Sequence, residues 1–252
     1  RGVKMKILFA GESWVINSTH IKGFDQFTET KYGEGGKWLI EALEGAGMEV
    51  DYMPCHIAAN EFPTTLEEMQ KYDVIILSDI GSNTLLLTED VFAKGKRMPN
   101  RLQLVKEFVE NGGGFAMMGG YMTFQGIDGK GKYAHTAIAD ILPVKMMETD
   151  DRFEAPEGVT PTIVNPDHPV LQGVSEDWPH FLGYNMLFEI DPKDVIAKCN
   201  DHVFMAGREY GKGRTFTFAS DISPHWGSPE FLAWESYNIL FSNMAKWLAK
   251  EI

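Results

Sequence analysis

The segment LQLVKEFVENGGGFAMMGGYMTFQG, Leu102 to Gly126, decides the fold of this chain. It begins with apolar side chains at helical spacing, which predict an amphipathic helix over Leu102–Asn111. Gly112–Gly114 should end this helix, because glycine adopts the left-handed conformation at a helix C-terminus without a Cβ clash. The wholly apolar run Phe115–Met118 is typical of a strand covered on both faces, and Gly119-Gly120-Tyr121 predicts a sharp turn directly after it.

This order of helix, glycine stop, buried strand and turn is typical of the central βα unit of an open α/β sheet. After the turn, Met122–Phe124 indicates the start of another helix. Buried-strand patterns recur at Lys6–Ala10 and Val74–Ser78, and a helical pattern over Gly35–Ala46 lies between them. Because this alternation implies right-handed crossovers, we expect a parallel sheet with an antiparallel hairpin, within His202–Ala219, at one end.

Composition and charge limit the classes of function. The chain has 252 residues, of which 44% are hydrophobic, and a net charge of -13. This charge argues against binding to nucleic acid or to an anionic membrane. Cys55 and Cys199 have no CxxC spacing, so we expect buried thiols in a reducing cytoplasm. We expect one domain over residues 1–252, with an insertion around residues 150–194.

Polar and aromatic residues follow the predicted strands at their carboxyl ends. Because parallel strands present these ends on one side of a sheet, we expect Glu12, Asp79, Tyr121 and His225 to converge on one cleft. The candidate ligand-binding residues are Ser13, Trp14, Asp79, Ser82, Asn83, Gly119, Gly120, Phe124 and Trp226. Trp14, Phe124 and Trp226 should form the apolar wall of this cleft. The long, irregular segment Val15–Glu34, or a neighbouring subunit, should cover it.

The candidate catalytic residues are His225, Glu12, Tyr121 and Asp221, and each has two possible roles. His225 would either transfer a proton, which the pKa of histidine suits, or be a packing residue. Asp221 would either orient His225 or cap the turn. Glu12 would be a general base or a capping carboxylate. Tyr121 would be a hydrogen-bond donor in a pocket or a packed aromatic plug, while the amides of Gly120 and Tyr121 could form an anion-binding nest.

A series of motifs across most of the chain resembles the family described as "putative glutamine amidotransferase". This family lies in the class I glutamine amidotransferase-like superfamily, which also contains the trehalose-utilisation-like proteins. The motifs are, in chain order, Gly112–Gly114, Met117–Phe124, Ile138–Val144, His168–Val174, Tyr210–Arg214, Asp221 and Pro224–Gly227. The resemblance implies a flavodoxin-like, three-layer α/β/α fold with a mainly parallel central sheet.

The chain departs from this superfamily at the elbow, the strand-to-helix turn that carries the nucleophilic cysteine in working class I amidotransferases. There a histidine is the base, and an acidic residue two positions later orients it. Here the elbow is Gly119-Gly120-Tyr121, and the position two residues after His225 is Gly227. Glutaminase chemistry by the usual route is therefore excluded.

Two classes of function remain open. The first is a cysteine-independent hydrolase or lyase that acts on a small polar metabolite. The second is a non-catalytic protein that binds a sugar-like small molecule or serves as an oligomer scaffold. We expect a homo-oligomer in either case, and neither a cofactor nor a metal, since the histidines form no short metal-ligand pattern.

Overall fold

The strands predicted from the sequence form the centre of the fold in the computed structural model, which describes residues 4–252. The strands are β1 (Lys6–Gly11), β2 (Ser13–Lys22), β3 (Asp25–Glu34), β4 (Glu49–Met53), β5 (Val74–Ser78), β6 (Gly114–Met118), β7 (Val144–Lys145), β8 (Arg152–Val159), β9 (Thr162–Ile163), β10 (Phe181–Asn185), β11 (Phe188–Glu189), β12 (Val195–Cys199), β13 (His202–Tyr210) and β14 (Gly213–Phe218). Within residues 4–252 the main sheet has eight strands, in the order β4-β1-β5-β6-β14-β13-β12-β9.

The parallel part of this sheet contains the central strand predicted from the sequence. Strands β4, β1, β5, β6 and β14 are parallel to one another. Strands β13, β12 and β9 continue the sheet in antiparallel pairing. The predicted parallel sheet with a hairpin at one end is confirmed, and the central position of β6 places its turn in the middle of the carboxyl edge.

Helices cover both faces of the sheet. They are α1 (Lys37–Gly45), α2 (Cys55–Glu61), α3 (Leu66–Met69), α4 (Ser82–Leu86), α5 (Glu89–Phe92), α6 (Arg101–Glu110), α7 (Ala137–Ile141), α8 (Pro229–Leu232) and α9 (Tyr237–Leu248). Helix α1 packs on α9, whereas α6 packs on α3, α4 and α7, and both α6 and α9 contact β6. Every residue of β6 is buried, as expected for a strand enclosed between two helical layers. In residues 4–252, no helix combines the length and the apolar character needed to cross a membrane.

A capping side chain marks the start of helix α6, and a glycine with positive φ follows its end. The Asn100 side chain accepts hydrogen bonds from the backbone N–H groups of Leu102 and Gln103, each at 3.1 Å, which satisfies amides that have no partner inside the helix. At the other end Gly112 has a φ of +119°, which a residue with a side chain rarely adopts. The chain then turns into β6, as predicted.

The segment Val15–Glu34 corrects the expectation of an irregular loop. Strands β2 and β3 form a two-stranded antiparallel sheet, called here the ribbon, with ten continuous residue pairs from Ser13–Glu34 to Lys22–Asp25. Its two-residue turn begins at Gly23, whose φ of +65° fits the positive φ that tight hairpin turns require. Most residues of the ribbon are exposed, so it lacks the clear alternation of apolar and polar residues that marks a half-buried strand.

The segment after the elbow also differs from the prediction, because Met122–Phe124 opens no helix. The Met122 N–H donates to Asp79 Oδ1 at 2.9 Å, and Phe124 has a φ of +51°. A left-handed residue cannot continue a right-handed helix. The chain instead makes a compact loop before α7.

Residues 150–194, expected to be an insertion, build a second layer beside the carboxyl edge. Strands β8 and β10 pair with each other in antiparallel fashion and form a separate small sheet. The short strand β9 from the same segment pairs with β12 and belongs to the main sheet. The segment therefore carries side chains to the elbow while also extending the central sheet.

Candidate active site at the carboxyl edge

The elbow at Gly120 is the point where three strand ends meet. Gly120 has a φ of +142°. A Cβ atom placed on it would lie 2.9 Å from Asp79 Oδ1 and 3.0 Å from Asp221 Oδ1. Asp79 directly follows β5, and Asp221 comes soon after β14. Only glycine leaves room for both carboxylates, so the turn sequence itself brings these acidic groups together.

The backbone amides of the elbow already have partners within the protein. The Gly120 N–H donates to Asn185 Oδ1 at 3.0 Å, and the Asn185 amide group donates back to the Gly120 carbonyl at 3.1 Å. The Met122 N–H donates to Asp79 Oδ1 at 2.9 Å. Of the two amides in the predicted anion-binding nest, Gly120 and Tyr121, that of Gly120 is therefore already bonded, and an oxyanion there would have to displace Asn185.

His225 and Asp221 form a hydrogen-bonded pair beside the elbow. His225 Nδ1 lies 2.8 Å from Asp221 Oδ2, and the Trp226 N–H donates to the same oxygen at 3.0 Å. The Asp221 side chain is 7% exposed, whereas that of His225 is 45% exposed. The buried carboxylate of Asp221 thus fixes the histidine ring through Nδ1, while the ring remains partly exposed to solvent.

Each member of this pair shifts the protonation of the other. The hydrogen bond that His225 donates to Asp221 raises the pKa of His225, and burial opposes this shift only in part. Burial raises the pKa of Asp221, while its hydrogen bond with His225 acts in the opposite direction. The His225 backbone has a φ of +124°, a strained conformation for a residue with a side chain.

A cluster of aromatic and charged side chains surrounds the exposed edge of His225. The Tyr121 ring meets the His225 ring edge-on, with centroids 4.5 Å apart. Glu154 accepts hydrogen bonds from the Tyr121 hydroxyl at 2.7 Å and from Trp226 Nε1 at 2.9 Å. The Arg152 guanidinium lies over the Tyr121 ring, 4.8 Å from its centroid. These contacts fix the orientation of the Tyr121 ring beside His225.

Two further carboxyl groups lie near this cluster, that of Glu12 buried and that of Asp79 partly buried. Glu12 accepts hydrogen bonds from Ser78 Oγ at 2.6 Å and Ser223 Oγ at 3.0 Å. Burial, together with the negative charges of Asp79 and Asp221, raises the pKa of Glu12 to about 8. Burial and the charge of Asp221 raise the pKa of Asp79 to about 6. Glu12 is therefore protonated at neutral pH.

Several residues predicted to contact a ligand lie elsewhere. Phe124 is completely buried in the hydrophobic core and cannot line the cleft. Trp226 is 1% exposed and supports Tyr121 and His225 from behind. Glu12 is also 1% exposed, so it cannot touch a ligand in this conformation. These three expectations are corrected for one reason: position at a strand end does not decide whether a side chain points outward.

The remaining predicted residues are spread along the same edge. Ser13 is buried at the base of the ribbon, where its hydroxyl accepts the Cys55 N–H at 2.7 Å. Trp14 lies on the ribbon against Gly33. Ser82 is buried and donates to the Lys132 carbonyl, whereas Asn83 is exposed and lines a neighbouring cleft of about 540 Å³ together with Gly81 and Met122. Gly119 is enclosed by the backbone of Ala219.

The prediction from sequence missed Asn185, Arg152 and Glu154. All three come from β8 and β10, in the segment that was expected to be an insertion. Asn185 also donates to Asp151 Oδ1 at 2.8 Å, so a buried polar network joins this segment to the elbow. Nothing in the sequence pattern shows that Asn185, which follows Tyr184, would bond the elbow backbone.

Metal ligation has no support in the described part of the chain. Within residues 4–252, no group of three or more His, Cys, Asp or Glu side chains is arranged to hold a metal ion. The expectation that the protein uses no cofactor stays a prediction.

Comparison with solved structures identifies proteins that share this fold. A cytoplasmic protein from Salmonella typhimurium is 46% identical, with a TM-score of 0.93 over 97% of this chain and 99% of that chain. A second cytoplasmic protein, from Salmonella typhimurium LT2, is 44% identical with the same TM-score and coverage. A ThuA-like protein from Parabacteroides merdae is 12% identical, with a TM-score of 0.59 over 99% of this chain and 91% of that chain, and it shows the shared fold. No curated protein matches the chain.

The family itself is settled by a sequence profile. The profile described as "Putative glutamine amidotransferase" matches residues 6–250, which is nearly the whole chain. The predicted resemblance and the predicted flavodoxin-like α/β fold are therefore both confirmed. The chain belongs to this glutamine amidotransferase-like family, although its elbow carries Gly119-Gly120-Tyr121 in place of a cysteine.

Proposed function

We propose that the carboxyl edge binds a small polar metabolite and that His225 acts on it as a general base in a cysteine-independent hydrolysis or elimination. The observation that carries this proposal is the 2.8 Å contact between His225 Nδ1 and the buried carboxylate of Asp221. A proton on Nδ1, shared with Asp221, leaves Nε2 unprotonated and able to accept a proton. Asp221 would also stabilise the imidazolium that forms when Nε2 takes that proton.

The groups around His225 suit this role. Nε2 has no hydrogen-bond partner among residues 4–252, and the ring is partly exposed. Tyr121, Glu154 and Arg152 offer a phenol, a carboxylate and a guanidinium beside it, which suits a substrate that carries several hydroxyl or carbonyl groups. Neither cysteine is needed, and burial raises the pKa of both thiols, so neither forms a thiolate readily at neutral pH.

The test is a screen for turnover with a panel of sugars, polyols and hydroxy acids, in which NMR detects both binding and product. His225→Gln should reduce turnover of any substrate found by at least about 100-fold, the usual contribution of a positioned general base. His180→Gln is the matched control, because this half-exposed histidine pairs with Glu230 and has no contact with the elbow. Unchanged turnover in His225→Gln would refute the proposal.

A second function, binding without catalysis, is favoured by one observation. The amides of Gly120 and Met122 are bonded to Asn185 and Asp79, so neither of these two amides is free to bind an oxyanion. A ligand that binds reversibly without conversion, and that His225→Gln and wild type bind equally well, would support the binding protein and exclude the enzyme.

A further inference from the structure

The ribbon carries an unusual concentration of exposed apolar side chains. Of the fifteen large hydrophobic residues that are exposed in residues 4–252, seven lie on the ribbon: Trp14, Val15, Ile16, Ile21, Phe24, Phe27 and Tyr32. Ile21 is 71% exposed, and Phe24, at the tip, is fully exposed. Contiguous apolar surface of this kind marks an interaction site on a soluble protein.

The apolar residues occupy both faces of the ribbon. Cross-strand partners share a face, so Val15 and Tyr32 lie on one face with Ile21 farther along it. Ile16 lies on the opposite face with Phe27. Folding the ribbon back onto its own domain would cover only one of these faces. A two-sided arm fits better when it lies between two molecules.

The edges of the ribbon are also open. It is a separate two-stranded sheet, so the outer backbone groups of both β2 and β3 have no strand partner among residues 4–252. Its ten pairs run without a bulge, and Ser13–Glu34 contains no proline. Natural edge strands usually carry such interruptions to prevent pairing with another chain. This edge is therefore suited to pairing.

Side-chain contacts connect the two strands of the ribbon. Thr19 and Thr28 hydroxyls lie 3.1 Å apart, Thr30 donates to Asn17 at 2.7 Å, and His20 lies 2.6 Å from Glu29. An isolated two-stranded hairpin is marginally stable in water, so further contacts are needed to keep it ordered. The ribbon is shaped in advance for a partner that covers it.

We propose that the ribbon is a dimerisation arm that docks on a second copy of this chain. Ten residues of extended strand span about 34 Å, so a ribbon covered on both faces approaches the roughly 800 Å² per partner of a standard interface. Two identical edges related by a two-fold axis can satisfy each other's backbone groups, whereas an unrelated protein would need a complementary edge of its own. This proposal does not depend on the chemistry of the elbow.

The two Salmonella proteins support an arm that is a regular part of this structure. Each solved structure aligns with 97% of this chain, which leaves about eight residues unmatched. The ribbon from Ser13 to Glu34 is longer than that, so most of it has a counterpart in both proteins.

Sedimentation velocity at micromolar protein concentration tests the proposal. Wild type should sediment as a dimer or larger assembly of the 28.3 kDa chain. The double variant Ile21→Asp/Phe24→Asp should sediment as a monomer with an unchanged circular dichroism spectrum. Phe92→Asp is the matched control, since Phe92 is 79% exposed but lies on α5, and it should keep the wild-type mass. A monomeric wild type, or a double variant of wild-type mass, would overturn the proposal.

A cross-linking experiment identifies the occupant and does not rely on the double variant folding. A photoreactive phenylalanine analogue replaces Phe27, and isotopically light and heavy proteins are mixed before irradiation. Cross-links between light and heavy chains are expected. Cross-links found only within one chain, or to a different protein during expression, would show that a second copy is not the partner.

Discussion

The elbow and the ribbon both continue from parallel strands of one sheet, yet they differ in how their polar groups are satisfied. At the elbow, the Asn185 side chain accepts from the Gly120 N–H and the Asp79 side chain accepts from the Met122 N–H, and the carboxyl groups of Glu12 and Asp221 are buried. In the ribbon, the hydrogen bonds run almost entirely between its own two strands, and apolar side chains face solvent. The same carboxyl edge thus carries a closed polar site beside an open apolar arm.

This difference indicates separate roles. A closed network holds functional groups in one geometry, which suits binding or proton transfer. An open arm gains its stability from another molecule. Substitutions that are costly at the elbow should therefore be tolerated in the ribbon, and the four predictions below test this contrast.

The largest effect is expected for Gly120→Ala. The new Cβ would lie about 3 Å from both Asp79 and Asp221 carboxylate oxygens, at a backbone φ that alanine rarely adopts. Strain and overpacking together should lower the free energy of unfolding by about 4 kcal/mol in urea denaturation. Gly23→Ala at the ribbon turn is the matched control, because it has positive φ but no atom within 4 Å of the new Cβ. A loss there of about 1 kcal/mol is expected, and equal losses would contradict the contrast.

A smaller effect, on the pH dependence of the free energy of unfolding, is expected from the proton that Glu12 holds in the folded protein. Since the pKa of Glu12 is raised to about 8, the folded protein keeps a proton that an unfolded glutamate releases. The stability that this proton provides is complete below the pKa of the unfolded glutamate and is lost as pH rises towards 8. The free energy of unfolding should fall by about 2 kcal/mol between about pH 6 and pH 8.

Glu12→Gln should remove most of this pH dependence in urea denaturation, because glutamine stays neutral. Glu29→Gln on the ribbon is the control: this side chain is 42% exposed, and its replacement should leave the slope unchanged. A wild-type slope that Glu12→Gln does not flatten would mean that another buried group, such as Asp79, takes up the proton.

The variant Asp221→Asn should change the pKa of His225 without changing the packing of the site. Asparagine keeps the size of the buried side chain but removes the negative charge that raises the pKa of His225. The pKa of His225 should therefore fall, as measured by NMR titration of its ring protons. If His225 is the general base, the rise in turnover with pH should move to lower pH by the same amount. An unchanged His225 titration would show that the pair is not electrostatically coupled.

No turnover is expected when free glutamine is offered as a substrate. The elbow lacks a thiol, and its amides are bonded internally, so the protein should release no ammonia from glutamine above background. Ammonia release that persists in the Cys55→Ala/Cys199→Ala variant would show that glutaminase chemistry proceeds here without cysteine.

The sequence predicted the strand and turn that position the site better than the side chains that surround it. The apolar run Phe115–Met118 and the glycines on either side identified β6 and the elbow, because buried strands and tight turns have strong local signatures. The inward burial of Phe124 and Trp226 follows from packing between distant elements, and no periodicity encodes it. Asn185 and Glu154 were missed for the same reason.

The ribbon shows a different limit of prediction. Its residues alternate poorly between apolar and polar, since neither face is buried in the monomer. Pattern analysis detects strands through the core that they cover, so a strand that covers no core within its own chain resembles a loop.

The double hydrogen bond between Asn185 and Gly120 has a consequence for hydrogen exchange. The Gly120 amide lies in a turn, where exchange with solvent is usually fast. Here its proton is held by a buried side chain of β10, which itself is bonded to Asp151. Exchange at Gly120 should therefore require β10 to separate from the elbow, which makes this single amide a reporter of how often the 150–194 segment opens.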